Sequence, residues 1–167
     1  VYSFSRSEPT FGLVVDLEAQ TGSGVSMISI ENVVTGAGND RIQGSVGNNF
    51  IDSGRGDDTV DGGDGFDTIA IHYRGDILLT DNGLGVVRDG GGNILQRFEN
   101  FEAVSTTETR RTLNSGDRFF GNALDNGFTA KKYDEVHGGE GHDWVSFNFD
   151  FSSSVFSFAG ADYILLE

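Results

Sequence analysis

Through the middle of the chain a large apolar residue recurs at every ninth position: Ile42, Ile51, Val60 and Ile69. Most of what lies between is polar or glycine. The spacing fits neither a helix face nor a long alternating strand. It predicts a three-residue strand whose middle side chain points inward, followed by a six-residue turn. Each nine-residue unit is then half a turn of a flattened coil. About eighteen residues complete the turn, so each unit stacks on the second one after it.

Cutting the segment at this period gives TGAGNDRIQ, GSVGNNFID, SGRGDDTVD and GGDGFDTIA, residues 35–70. The fourth column is Gly38, Gly47, Gly56 and Gly65, and the sixth is Asp40, Asn49, Asp58 and Asp67. A less regular copy occupies 114–146. Its sixth column is Asp117, Asn126, Asp134 and Asp143, and its apolar column is Phe119, Phe128, Val136 and Val145. The order Asp, Asn, Asp, Asp repeats at an offset of 77 and then 76 residues, as in Asp117 against Asp40 and Asp143 against Asp67. That reads as duplication. The third piece has Ala130, Lys131, Lys132 and Tyr133 where the turn belongs, so its site, Asp117 with Asp134, is expected to be the weakest.

Alternating stretches flank the blocks. Ile71 and Tyr73 are expected to face inward and plug the first block, with His72 outward as plain surface. Phe147, Phe149 and Phe151 are expected to do the same for the second. Residues 77–80 and 86–88 around Asp81-Asn82-Gly83 read as a hairpin, with a second turn at 90–93 leading into 94–98. Residues 11–17 and 25–30 read as two further strands. Nothing reads as a helix. The fold class is all-β: a parallel roll with two repeat blocks joined by hairpin segments. A first unit spans 1–74, and a second spans 75–167.

Composition adds chemistry to this frame. The 167 residues include 25 glycines, 14 phenylalanines, one proline and no cysteine, and the net charge is −15. The aromatic content argues against disorder. The charge opposes nucleic acid and anionic membranes. Without cysteine there is neither a disulfide nor a thiolate zinc site, and no apolar run is long enough for a membrane-spanning helix. The chain opens on Val1 with no signal-peptide pattern, so it is expected to be a piece of a longer protein. Seven aspartates and nine glycines crowd between Gly36 and Asp67. Glycine lets backbone carbonyls approach an ion, and aspartate adds a hard carboxylate oxygen. Calcium takes six to eight such oxygens at ~2.3–2.6 Å. Stacking then pairs Asp40 with Asp58 on one edge and Asn49 with Asp67 on the other. The second pair carries one fewer charge.

These columns resemble the glycine- and aspartate-rich nonapeptide of RTX proteins, G-G-x-G-x-D-x-U-x. The match is close at the fourth, sixth and eighth positions and looser where Thr35, Ser45 and Ser53 replace glycine. The resemblance implies a β-roll that binds several calcium ions. Its ligands would come from Gly36, Gly38, Asp40, Gly47, Asn49, Gly54, Gly56, Asp58, Gly63, Gly65 and Asp67. In the second block they would come from Asp117, Asn126, Asp134, Gly139, Gly141 and Asp143. Family members also carry an "IEN" phrase ahead of the repeats. Residues 30–34 supply it here, and 98–102, FENFE, read as its second copy. About one extra half-coil, 106–113, is then expected in the second unit.

The smaller signals read as surface. His137 and His142 straddle a turn, and metal capture by them is the weaker reading. Arg74-Gly75-Asp76 is a chance tripeptide. Arg110-Arg111 and Lys131-Lys132 offset the acidic field rather than grip a polysaccharide. There is no HExxH or GxSxG pattern, and a carboxylate pair for glycoside chemistry is the weaker reading of the aspartates, because a carboxylate sharing a bound calcium is a poor proton carrier. The favoured function is a calcium-binding module of a larger secreted bacterial protein. It would follow type I secretion and fold on meeting extracellular calcium. The alternative is a carbohydrate- or surface-binding module of an adhesin or polysaccharide-modifying enzyme, with structural calcium and recognition carried by 76–104. A small enzyme is a third reading, and the absence of a catalytic constellation argues against it.

Overall fold

The computed structural model describes residues 2–3, 11–106, 116–131, 133–147 and 163–165. Among them are eighteen strands and no helix. In chain order the first strands are β1 (Tyr2–Ser3), β2 (Val14–Asp16), β3 (Thr21–Gly22), β4 (Val25–Ser26) and β5 (Asn32–Val34). The first block contributes β6 (Arg41–Ser45), β7 (Phe50–Asp52), β8 (Thr59–Gly63) and β9 (Thr68–Ile71). Next come β10 (Asp76–Leu79), β11 (Leu84–Arg88), β12 (Ile94–Glu99) and β13 (Ala103–Thr106). The second block gives β14 (Arg118–Phe120), β15 (Gly127–Ala130), β16 (Glu135–His137) and β17 (Trp144–Phe147), followed by β18 (Tyr163–Leu165).

Successive repeat strands alternate between two sheets, as half-coils must. One sheet runs β1-β5-β7-β9-β13-β15-β17-β18, parallel throughout. The other runs β16-β14-β10-β11-β12-β8-β6-β2-β3-β4. Register stacks the inward residues directly. Val33, Ile51, Ile69, Val104, Phe128 and Val145 form one column. Val15, Ile42, Val60 and Phe98 form another, and Ile77, Phe119 and Val136 a third. The columns meet in one buried cluster that holds residues of both blocks. Burial of this apolar surface is the main force closing the coil.

The segment between the blocks is built into the roll. β10, β11 and β12 form an antiparallel meander. It is inserted in the second sheet, with β12 on β8 and β10 against β14. The chain leaves β9, crosses to β10 and returns through the meander, so that β13 can stack on β9. Gly85 makes this possible, because a Cβ there would stand 2.0 Å from the Phe98 ring.

Several expectations change. The first block is not plugged: Ala70 and Ile71 are both buried, β9 ends at Ile71, and the next coil follows. Tyr73 lies against the core edge, and its hydroxyl accepts the Gly56 N–H and donates to the Gly56 carbonyl. His72 is not plain surface. Its Nε2 stands 2.6 Å from Asp52 Oδ1, with both side chains nearly buried. Residues 25–30 make only the two-residue β4, because Ser29 has φ +54 and Ile28 points into solvent. Phe149, Phe151, Arg110, Arg111, Lys132 and the half-coil expected after Thr106 lie outside the described residues.

Candidate calcium sites

Each turn along the two edges of the roll ends on a sixth-column residue, and all of these but the half-buried Asp134 are buried. Asp40, Asn49, Asp58, Asp67, Asp117, Asn126 and Asp143 are each less than a tenth exposed. The strand that follows anchors each one, and the turn before it folds over it. One rule governs the stack. The later aspartate of each stacked pair accepts the backbone N–H of the corresponding residue one coil earlier. Asp58 Oδ1 takes Asp40 N–H at 2.9 Å, and Asp67 Oδ1 takes Asn49 N–H at 2.7 Å. Asp134 Oδ1 takes Asp117 N–H at 2.9 Å, and Asp143 Oδ1 takes Asn126 N–H at 2.8 Å. The three pairings expected from the eighteen-residue coil, Asp40 with Asp58, Asn49 with Asp67 and Asp117 with Asp134, are brought together, and Asn126 with Asp143 follows the same pattern.

The glycines bring the turns into contact. Gly56 has φ +153, and a Cβ there would lie 1.8 Å from the Gly38 carbonyl oxygen and 2.9 Å from Asp58 Oδ1. A side chain would fill the space that carbonyl and carboxylate share. Gly54 meets the Gly36 carbonyl in the same way. On the other edge Gly63 meets the Ser45 carbonyl, and Gly65 stands over Gly47. In the second block Gly139 and Gly141 approach the Asn122 and Leu124 carbonyls.

In the first block, carboxylate oxygens of both pairs are left over. Asp40 Oδ2, Asp58 Oδ2 and Asp67 Oδ2 are buried with no hydrogen-bond partner. An unpaired buried carboxylate costs several kcal/mol, so such a group takes up a proton or a cation. Burial pushes the Asp58 and Asp67 carboxyls up to about 6, despite the N–H groups they accept. Nearby Asp40 and Asp57 add to the rise at Asp58, and Glu102, Asp61 and Asp64 add to it at Asp67. Both carboxyls are still largely ionised at neutral pH. Among the described residues no three His, Cys, Asp or Glu side chains converge to chelate a metal. The donor set is instead paired carboxylates with turn carbonyls. These are hard oxygens, which suit calcium.

The remaining pairs differ. Asp134 is also raised by burial, but its second oxygen is used: Oδ2 accepts Lys131 N–H at 2.7 Å. Tyr133 there adopts φ +78 without being glycine, and Lys131 Nζ donates to the Thr106 carbonyl. Asn49 and Asn126 use their Oδ1 on Ser45 N–H and Asn122 N–H. Asn49 Nδ2 also donates to the Glu31 carbonyl at 3.0 Å.

Sequence reasoning missed Glu102, whose Oε2 accepts Asp67 N–H at 2.8 Å. The signal was present but misread. Val33 and Val104 share a column, so the true counterpart of Ile30-Glu31-Asn32-Val33 is Phe101-Glu102-Ala103-Val104, three residues beyond the phrase chosen. His137 pairs with Glu135 and stacks on Phe120, and His142 is exposed 3.8 Å from Asp125. In the tripeptide 74–76, Asp76 is engaged by the Arg118 guanidinium.

No curated protein and no solved structure matches the chain. The family profile of the RTX calcium-binding nonapeptide repeat matches residues 34–69 as four copies. That is the segment whose turns stack glycine on carbonyl and leave buried carboxylate oxygens in register. Over residues 34–69 the chain is thus similar, in sequence and in the stacking of its turns, to the RTX calcium-binding nonapeptide repeat.

Proposed function

We propose that this chain is a calcium-operated folding module of a larger secreted bacterial polypeptide, which it stabilises or presents outside the cell. The observation that carries the reading is the set of buried carboxylate oxygens left without partners at Asp40, Asp58 and Asp67. In a cytosol with sub-micromolar calcium these groups repel, and the roll is held open. An open chain suits export by type I secretion. Outside, calcium exceeds the ~10⁻⁴–10⁻³ M dissociation constants of extracellular modules, and its binding free energy becomes folding free energy. The module itself does no chemistry, because a carboxylate committed to a cation is a poor proton carrier. Equilibrium dialysis of the whole chain at ~1 mM calcium is expected to retain several ions per chain, with no displacement by equal magnesium. Retention of no calcium overturns the proposal.

Recognition of a polysaccharide has one observation in its favour. A cleft of about 220 Å³ opens where the meander joins the second block, lined by Thr80, Asn82, Asn100 and Asn122. The exposed Leu84 and Leu124 also line it. It is smaller than the ~300–1,000 Å³ of ordinary ligand pockets and takes one sugar ring at most. Glycan-array binding, lost on Asn82→Ala, is the result that would establish it.

A further inference from the structure

Glu102 lies outside the matched repeats, yet its backbone occupies the place of a sixth-column residue. On that edge, the residue after the sixth column donates its N–H to the sixth-column carbonyl one coil earlier. Thr68 donates to Asn49, Ala103 to Asp67, Gly127 to Glu102 and Trp144 to Asn126. The stack therefore runs Asn49, Asp67, Glu102, Asn126, Asp143 without a gap, across an insertion that separates Asp67 from Glu102 by 35 residues. The Glu102 side chain obeys the same rule as the aspartates by accepting the N–H of Asp67.

Asp67 is fully buried. Oδ1 turns back to Asn49 N–H. Oδ2 has no partner and faces the following coil. A Cβ at Gly62 would stand 2.7 Å from Oδ2 and 2.1 Å from the Asn100 carbonyl oxygen, so these two oxygens flank one space. The meander holds that carbonyl in place. Asn100 adopts φ +58, gives its N–H to the Gly83 carbonyl at 2.7 Å, and donates Nδ2 to Asp61 Oδ1 at 2.8 Å.

We propose that Asp67 Oδ2, the Glu102 carboxylate and the Asn100 carbonyl hold a further calcium ion, which ties the first repeat block to the second. All three donors are hard oxygens, two of them anionic, and calcium accepts that set from carboxylates and carbonyls together. The cation offsets the repulsion between Asp67 and Glu102 and joins the two blocks at the turn where the consensus is interrupted. The site rests on the calcium-binding reading of the repeats.

Glu102→Gln in the whole chain tests it, because glutamine keeps an oxygen for Asp67 N–H and removes only the charge. Native mass spectrometry with isothermal titration is expected to show one ion fewer than in the unchanged chain, with circular dichroism at saturating calcium unaltered. In the unchanged chain the ¹³C resonance of the Glu102 carboxylate is expected to move as calcium fills the sites, which decides the matter should the variant not fold. An unchanged ion count and affinity in the variant overturns the proposal, as does a Glu102 resonance indifferent to calcium. A wild-type chain that binds no calcium at all overturns the functional reading itself. Calcium bound normally with Glu102 silent overturns only this site.

Discussion

Asp58 and Asp67 differ from a surface aspartate in having one oxygen satisfied and the other buried without a partner. Desolvation holds both carboxyls at about 6 in the fold, against an ordinary value of 3.8. The folded state therefore binds protons more tightly than the unfolded state between about pH 4 and 6. Metal-free stability is highest below that window and falls as pH rises through it. Calcium reverses the trend, because it needs the ionised form and loses to protons below about pH 6. Urea unfolding in calcium-free buffer, followed by Trp144 fluorescence, is expected to show a more stable chain at about pH 4 than at about pH 7. Stability that rises with pH in calcium-free buffer contradicts this. At the same scale, Asn49 is more than a carboxylate short of one charge. Its amide nitrogen donates to the Glu31 carbonyl, so an aspartate there would set an anion against that oxygen.

The turn decides which of the four stacked pairs has room for a cation. In the first block, glycine at 54 and 56 lets carbonyls and carboxylates share a space. In the third piece of the second block, Lys131 N–H fills the place of the cation at Asp134 Oδ2. Asp58→Ala is therefore expected to lower calcium affinity at least tenfold or to unfold the first block. Asp134→Ala is expected to change calcium affinity less than threefold. Calorimetric titration of the two variants checks this, and equal losses would show that the degraded turn binds as the others do. The nine-residue column made these turns legible, because a period with one inward residue has few other solutions. The meander was legible too, from Asp81-Asn82-Gly83 and Gly90-Gly91-Gly92-Asn93 between apolar runs. Glu102 was not. A 35-residue excursion hides which residue returns to the column, and the repeated FEN and FEA phrases offered two registers. His72 was misassigned because alternation gives the side of a strand, whereas β9 stops at Ile71 and leaves His72 beyond it; Tyr73 does pack against the core, but without closing the block.

Over the whole molecule, one core and two edge stacks share the work of holding the coil. The apolar columns run unbroken from Val33 to Val145 in one sheet. The acidic residues are gathered at the edges of a chain with net charge −15 and no disulfide. Burial favours the coil, and the unpaired carboxylates oppose it at neutral pH until a cation arrives. That balance makes calcium the switch between an open chain and a roll. The decisive measurement is a calcium titration of the far-ultraviolet circular dichroism of the whole chain at neutral pH, starting from excess chelator. The β signal is expected to be absent in chelator and to appear cooperatively as free calcium approaches ~10⁻⁴–10⁻³ M. A full β signal in chelator, unchanged by calcium, would falsify the claim that calcium closes this roll.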